Sequence, residues 1–226
     1  MLLRSIFLVF FALAATAQAQ EPWPAEKPEE RQQAVLNEDG GRAYIVRPAA
    51  APLIGIIKPG GPSVGDLQQH SIFLGSGWAD SALRAREPRL GSLLANIRDQ
   101  AQRDEIAQAG VNNLFGPTLS MEKPDVAGQR SISDLEIQGI LSNILKDGPR
   151  PNAGSIYMVF LDPTFSSTLG PLVADKHYIA YHAFFNAAGA KVHYVVVPYQ
   201  PDSQGGYQIA LRALVVAALH SEETPR

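Results

Sequence analysis

The chain has 226 residues, 46% of them hydrophobic, and its 19 basic and 22 acidic residues give a formal net charge of −3. This balance provides no basic surface, so we expect no nucleic-acid partner and no attraction to anionic lipid. The absence of cysteine excludes disulfides, thiolate nucleophiles and thiolate metal ligands. The folded chain must therefore be stabilised by a hydrophobic core.

Residues 1–19 are typical of a secretory signal peptide. Arg4 precedes an apolar run over residues 6–15, and Ala17-Gln18-Ala19 supplies the small residues of a cleavage site. The run is too short for a membrane span. We therefore expect cleavage before Gln20, a secreted or periplasmic location, and no transmembrane anchor after cleavage.

Two segments precede the main domain, which we place at residues 67–226. Residues 20–42 are rich in proline and glutamate near their start and predict a tether, because they offer little apolar surface to bury. Residues 43–66 alternate short apolar pieces with Gly and Pro clusters, which predicts edge strands or a wrapping segment. The G-x-S-x-G pattern at 61–65 lacks the strand and helix of a hydrolase elbow, so it predicts a loop.

The first elements of the main domain are a strand and two helices. Residues 70–78 predict a strand that runs into a glycine turn, and apolar residues at helical spacing predict an amphipathic helix over 88–103. Residues 104–130 predict a long surface connection. Ser133 and Glu136 form a capping box that begins a second helix, which ends at Gly148-Pro149.

The remaining elements complete a mixed sheet. Residues 156–163 predict a central strand, and residues 178–185 and 191–199 predict a hairpin whose loop is 186–189. The last helix, over 206–223, is apolar on all sides and is therefore predicted to be buried. This order predicts an α/β (α+β) fold, a mixed central sheet with packed helices, with which a zincin-like layering is compatible.

Histidines supply the main candidates for chemistry. If the hairpin loop has four residues, His182 and His193 face each other with Cβ atoms roughly 5 Å apart, a geometry for a shared metal or a pH-sensitive pair. Packing in the core is the alternative. His220 and Glu223 lie three apart in the last helix, but Thr224 stands where a zinc helix would need its second histidine. A zinc site would use His182, His193, His220 and Glu223.

Aromatic side chains supply the candidates for binding. Such side chains stack on sugars or on a protein partner, although core packing also explains them. The aromatic group is Trp78, Tyr178, Tyr181, Tyr194 and Tyr199. With the two histidines, the candidate binding residues are Trp78, Tyr181, His182, His193 and Tyr194.

Four stretches together resemble the Exordium or phosphate-induced protein family and its bacterial relatives. They are HSIFLGSGW, SISDLEIQGILSNILKDGPRPNAGSIYMVFL, YIAYHAFFNAAGAKVHYVVVPY and ALRALVVAALHSEETP. The resemblance covers residues 67–226 and rests on segment order and short motifs. It implies an exported protein, because plant members are cell-wall or extracellular proteins without an established enzymatic reaction.

The resemblance also bears on catalysis. Some bacterial relatives have a histidine–glutamate pair in the helix that corresponds to this chain's last one, and the matching positions here are Val216 and Ala217. Neither side chain can bind a metal or transfer a proton. We therefore expect a non-catalytic binding or envelope-associated module without a cofactor, with an unknown ligand and cell-wall or carbohydrate contact. The alternative is a divergent, peptidase-like zinc metallohydrolase using His182 and His193.

Overall fold

A computed structural model describes residues 33–36, 42–46, 66–98, 100–108, 111–115, 119–121, 130–147, 151–187 and 189–219. The predicted signal peptide, the pattern at 61–65, His220 and Glu223 lie outside these residues. Within the described ranges, no helix has the length and apolar character needed to cross a membrane.

The described strands and helices occur in runs along the chain. The strands are β1 Gln33–Leu36, β2 Arg42–Val46, β3 Asp66–Leu74, β4 Asn112–Phe115, β5 Leu119–Met121, β6 Arg130–Ser133, β7 Ser155–Leu161, β8 Phe165–Leu169, β9 Leu172–Val173, β10 Ala180–Ala187 and β11 Ala190–Val197. The α-helices are α1 Ser81–Arg84, α2 Glu87–Leu90, α3 Gln100–Gln108, α4 Asp134–Asp147 and α5 Ser203–Leu219. Short 3₁₀ helices lie at Ser76–Ala79 and Leu94–Asn96.

One large mixed sheet organises the chain. Its strand order is β1-β2-β10-β11-β7-β3-β4, and β5 also pairs with β3. Strands β3, β7 and β11 are parallel, so their carboxyl ends meet at one edge. Every residue of β7 is buried, which confirms the predicted central strand. A small second sheet has the order β6-β8-β9.

Helices cover both faces of the large sheet, which confirms the predicted mixed α/β fold. On one face, Ile156, Met158 and Phe160 of β7 belong to the same buried cluster as Leu211 and Leu214 of α5. On the other face, the alternate residues of β7 belong to a second cluster that includes the apolar stripe of α4. Full burial of one such leucine contributes about 1.5–3 kcal/mol.

The capping box begins α4 as the sequence predicts. The Ser133 amide donates to Glu136 Oε2 at 3.0 Å, and the Glu136 amide donates to Ser133 Oγ at 3.3 Å. The Ser133 backbone hydrogen bond is also the main cause that lowers the pKa of Glu136. The predicted stop at Gly148-Pro149 lies outside the described residues.

The predicted helix over 88–103 is wrong as one continuous element. The leucines of this segment and Ile97 are buried, but its backbone groups form hydrogen bonds with residues from elsewhere in the fold. Gln69 Nε2 donates to the Leu90 carbonyl at 2.7 Å, and its Oε1 accepts from the Leu93 amide at 3.1 Å. The Leu93 carbonyl accepts from Tyr207 Oη at 2.9 Å. These bonds use backbone groups that helical bonding would need, so the chain forms short turns.

Two strand assignments also differ from the sequence prediction. The predicted surface connection over 104–130 contains the end of α3 and two short strands, β4 and β5, which pair with β3. These strands cover an edge that would otherwise expose unpaired backbone groups. At the far side, β2 is not an edge strand, because β1, from the predicted tether, pairs beside it.

The hairpin is confirmed, but its loop is shorter than predicted. Ala187 pairs with Ala190, which leaves a two-residue loop with Gly189 at φ 77°. Two-residue hairpin turns require such a left-handed conformation. The register therefore moves by two residues relative to the four-residue loop: His182 pairs with Val195, and His193 pairs with Phe184. The predicted direct opposition of the two histidines is wrong.

Candidate functional site

The five candidate binding residues do not converge on one site. His182 and His193 share the α5 face of the sheet, whereas Tyr181 and Tyr194 belong to the buried cluster on the α4 face. Trp78 lies in the cluster on the α5 face, and its Nε1 donates to the Phe160 carbonyl at 3.2 Å. Its indole is buried and packs edge-on against Phe73. Trp78 therefore packs in the core and does not expose a ring face on which a ligand could stack.

The two histidines are diagonal neighbours in different surroundings. His182 is buried and stacks on Tyr44 with ring centroids 4.7 Å apart. His193 is half-buried, and its ring centroid lies 5.9 Å from that of Phe184. Burial, and secondarily the charge of Lys191, lowers the pKa of His193 to about 4. In the part of the chain that the structure describes, no three potential metal ligands gather at one point.

Tyr181 and Tyr194 belong to a closed polar network around Asp134. The Asp134 side chain is fully buried, and its Oδ1 accepts from Tyr181 Oη at 2.8 Å and from Tyr194 Oη at 2.6 Å. Its Oδ2 accepts from Gln138 Nε2 at 2.9 Å. Burial is the main cause that raises the pKa of Tyr181, and Asp134 adds to it. This network has no solvent-facing group, so it holds α4 against the sheet.

A second buried carboxylate shapes the sheet edge where β3 and β7 end. Asp162 Oδ2 accepts from the Gly77 amide at 2.5 Å, and Oδ1 accepts from the Thr164 amide at 2.8 Å. An added Cβ at Gly75, where φ is 119°, or at Gly77 would collide with this carboxylate. Glycine is required at Gly75 on both counts. Asp162 thus fixes the turn that places Trp78.

The short helices and turns of residues 80–97, which follow Trp78, lie over the start of α5, and we call this segment the cap. Asp80 Oδ1 accepts from the Ala82 amide at 2.8 Å and begins α1. Arg89 lies over the Tyr207 ring, 4.1 Å from its centroid, and its Nη2 donates to Gln204 Oε1 at 2.8 Å. The cap is therefore fixed both to the sheet, through Gln69, and to α5.

A cleft opens between this cap and the carboxyl ends of β7 and β11. It encloses about 260 Å³, including space open to solvent. Ligands of open α/β sheets bind at this kind of edge. None of the described residues that line it is an acid, histidine, serine or threonine, so it contains no pair for acid–base or nucleophilic catalysis. The lining is Trp78, Arg86, Leu90, Phe160, Leu161, Val197, Pro198, Tyr199, Gln200 and Gly206.

Arg86 is the charged side chain of the cleft. It is half-buried, its guanidinium carbon lies 5.3 Å from the Tyr199 ring centroid, and its Nη2 donates to the Gln200 carbonyl at 2.9 Å. Both partners are neutral. Among the described residues, no carboxylate forms an ion pair with Arg86. Within the part of the chain that the structure describes, the cleft therefore presents a cation without an ion-pair partner.

A larger groove lies beside the small sheet. It encloses about 510 Å³, again partly open, between Arg130, Thr164 and Ser166. Its arginine is already paired, because Arg130 Nη2 lies 3.1 Å from Glu136 Oε1. Arg130 Nε has no hydrogen-bond partner among the described residues, but Glu136 already balances the charge of this arginine, so the cleft at Arg86 is the stronger candidate site.

Sequence reasoning named Tyr199 among the aromatic residues but missed Arg86 and Gly206. The available signal was topological. Loops that follow parallel strands meet at one edge of the sheet, and Tyr199 is the last residue of the last predicted strand. Arg86 lies twelve positions beyond the preceding strand's end at Leu74, in a segment whose folding depends on tertiary bonds.

Comparison of the chain with protein-family models, with curated proteins and with solved structures found no match.

Proposed function

We propose that this protein is an exported, non-catalytic binding module of the Exordium-like type, and that it contacts the cell envelope through the cleft between the cap and α5. The observation that supports this most directly is the cleft's composition: an arginine without an ion-pair partner among the described residues, beside a tyrosine ring and without an acid–base pair. Arginine and aromatic side chains are typical of binding surfaces.

The signal peptide and the resemblance to cell-wall proteins favour an envelope polymer as the partner. In a bacterial cell envelope the abundant polymer that an exported protein meets is peptidoglycan, which combines sugars with short peptides. A tyrosine ring stacks on sugar faces, and a guanidinium pairs with acidic groups. Both features are present in the cleft at Arg86 and Tyr199.

Co-sedimentation of the mature protein with purified peptidoglycan sacculi tests this function. A Cβ at Gly206 would lie 3.0 Å from Arg86 Nη2 and 3.2 Å from Gln200 Cβ, so Gly206→Val fills the cleft. Gly139→Val is the matched control, because a Cβ at this exposed helical glycine meets nothing within 4 Å. We expect binding by the wild type and Gly139→Val and about tenfold weaker binding by Gly206→Val. Absence of wild-type binding would contradict the proposal.

The zinc metallohydrolase is the second candidate, because His182 and His193 lie on the same face of the hairpin. It is tested by measuring the metal content of the exported protein and of His182→Ala. Stoichiometric zinc that is lost in the variant would favour the metallohydrolase. A wild-type protein without zinc, whose melting temperature does not change when zinc is added, would contradict it.

A further inference from the structure

Resting on the proposed function, we infer that the cleft binds a carboxylate group of its ligand, held by Arg86 on the ring of Tyr199. Three features of the molecule support a carboxylate: the N–H donors that Arg86 leaves available, the start of helix α5 beside it, and the small volume of the cleft.

Arg86 has donors to spare. A guanidinium has five N–H groups, and among the described residues only the Gln200 carbonyl accepts from that of Arg86. The guanidinium carbon lies over the ring of Tyr199, 5.3 Å from its centroid, and this contact restricts where the guanidinium lies. A planar cation that is held in this way presents paired N–H groups, which match the two oxygens of a carboxylate.

Asp175 and Asp202, which lie on the cleft side of the fold, have hydrogen-bond partners other than Arg86. Asp175 Oδ1 accepts from Gln200 Nε2 at 3.3 Å. Asp202 Oδ1 accepts from the Gln204 amide at 3.0 Å, and its Oδ2 accepts from the Gly205 amide at 2.7 Å. An incoming anion therefore does not have to displace a protein carboxylate from Arg86.

The same bonds favour a carboxylate over a phosphate. Phosphate sites at sheet edges use free amides at a helix N-terminus. Here Asp202 takes the amides of Gln204 and Gly205 through its side chain and that of Gly206 through its carbonyl, at 2.8 Å. The negative charge of Asp202 repels a dianion more strongly than a singly charged carboxylate. One guanidinium without helix amides suits a single negative charge.

The size of the cleft limits what enters it. Pockets for whole small molecules enclose about 300–1,000 Å³, whereas the comparable cavity volume of this cleft is about 20 Å³. The apolar floor formed by Leu90, Phe160 and Val197 offers no further polar partner. The ligand therefore inserts a terminal or pendant acid, and the rest of it lies outside.

Two sources of a carboxylate are separated by calorimetric titration of the mature protein. One arm compares glucuronate with glucose, which has a neutral hydroxymethyl group in place of the acid. The other compares N-acetyl-D-alanyl-D-alanine with its C-terminal amide. We expect one acid to bind and its neutral partner to bind about tenfold more weakly or not at all. Equal affinities within both pairs would overturn the inference.

Substitutions then assign the contact to Arg86. Arg86→Gln should weaken binding of the acid about tenfold or more, and Arg86→Lys should give an intermediate loss because a lysine keeps the charge but not the paired donors. Arg84→Gln is the control, since Arg84 is exposed on the same segment. The affinity of this variant for the acid should stay within about twofold of that of the wild type. Thermal melting checks folding. An unchanged affinity in folded Arg86→Gln would overturn the assignment.

The two proposals fail in different ways. If sacculi bind but neither acid binds or competes for them, the carboxylate inference is wrong and the envelope-binding function stands. If an acid binds in an Arg86-dependent manner while sacculi do not, the inference stands and the envelope assignment is wrong.

Discussion

Two polar regions of the molecule use their hydrogen-bonding groups in opposite ways. Under α4, Asp134 is fully buried and its oxygens accept from Tyr181, Tyr194 and Gln138. Beside α5, Arg86 is half-buried and donates to one neutral carbonyl among the described residues. The first region is complete within the fold, whereas the second has donors left over.

This difference separates groups that stabilise from groups that bind. A buried polar group is costly unless it is paired, so the fold has satisfied Asp134 internally. A group that remains unsatisfied at a solvent-open edge costs little in the free protein and contributes when a ligand arrives. Changes under α4 should therefore alter stability without altering ligand affinity, and changes at Arg86 should do the reverse.

The largest expected effect on stability is that of Asp134→Ala. It removes the acceptor that the Tyr181 and Tyr194 hydroxyls share and one of the two acceptors of the Gln138 amide, so we expect a loss of about 3 kcal/mol in the free energy of unfolding. Tyr181→Phe removes one donor and should cost about 1 kcal/mol. Urea denaturation measures both. We expect the folded fraction of each variant to bind sacculi with the same affinity as the wild type, which would separate the stabilising role of Asp134 from ligand binding.

The next effect concerns pH and His193. Because the pKa of His193 is lowered to about 4 in the folded protein from the usual 6.5, the unfolded chain binds a proton there that the folded chain does not. The contribution of His193 to the free energy of unfolding is therefore fully present above about pH 6.5 and is lost as the pH falls toward 4. Since the ring is partly exposed, we expect about 1–2 kcal/mol over this range.

His193→Gln provides the comparison for this slope. Denaturation of the variant at several pH values should show a shallower loss of stability between pH 6.5 and 4. The burial that lowers the pKa of His70 contributes in the same direction and remains in the variant. An identical slope in both proteins would show that His193 does not titrate as its surroundings require.

The smallest effect is a gain. Gly139 lies on the exposed side of α4, where an added Cβ meets nothing within 4 Å. Gly139→Ala should therefore raise the free energy of unfolding by about 0.5–1 kcal/mol, because alanine loses less backbone entropy in a helix. A rise in melting temperature with unchanged sacculus affinity would agree with the separation of the two regions. A lower melting temperature would contradict it.

Local patterns predicted the elements whose signals are local. The capping box of Ser133 and Glu136, the apolar run of β7 and the largely apolar helix α5 each depend on residues close in sequence. The helix predicted over 88–103 fails because Gln69 and Tyr207, distant in sequence, bond its backbone. The predicted register of the hairpin is wrong because the sequence around Gly189 is compatible with both a two-residue turn and a four-residue loop.

The candidate site was harder to predict for the same reason. Tyr181 and Tyr194 were named for their aromatic rings, but alternation along β10 and β11 puts them in the core, where Asp134 accepts from their hydroxyls. Arg86 has no motif around it. Its role depends on meeting Tyr199 and Gln200, which are more than a hundred residues away along the chain.

The most direct test of envelope binding at the cleft is nuclear magnetic resonance of the protein with isotopically labelled arginine. Soluble peptidoglycan fragments are added while the Nε–Hε signals of Arg86 and Arg130 are followed, each assigned by substitution. The account predicts a saturable shift at Arg86 and none at Arg130, which Glu136 already pairs. A shift at Arg130 with none at Arg86 would place the ligand in the larger groove and contradict the account.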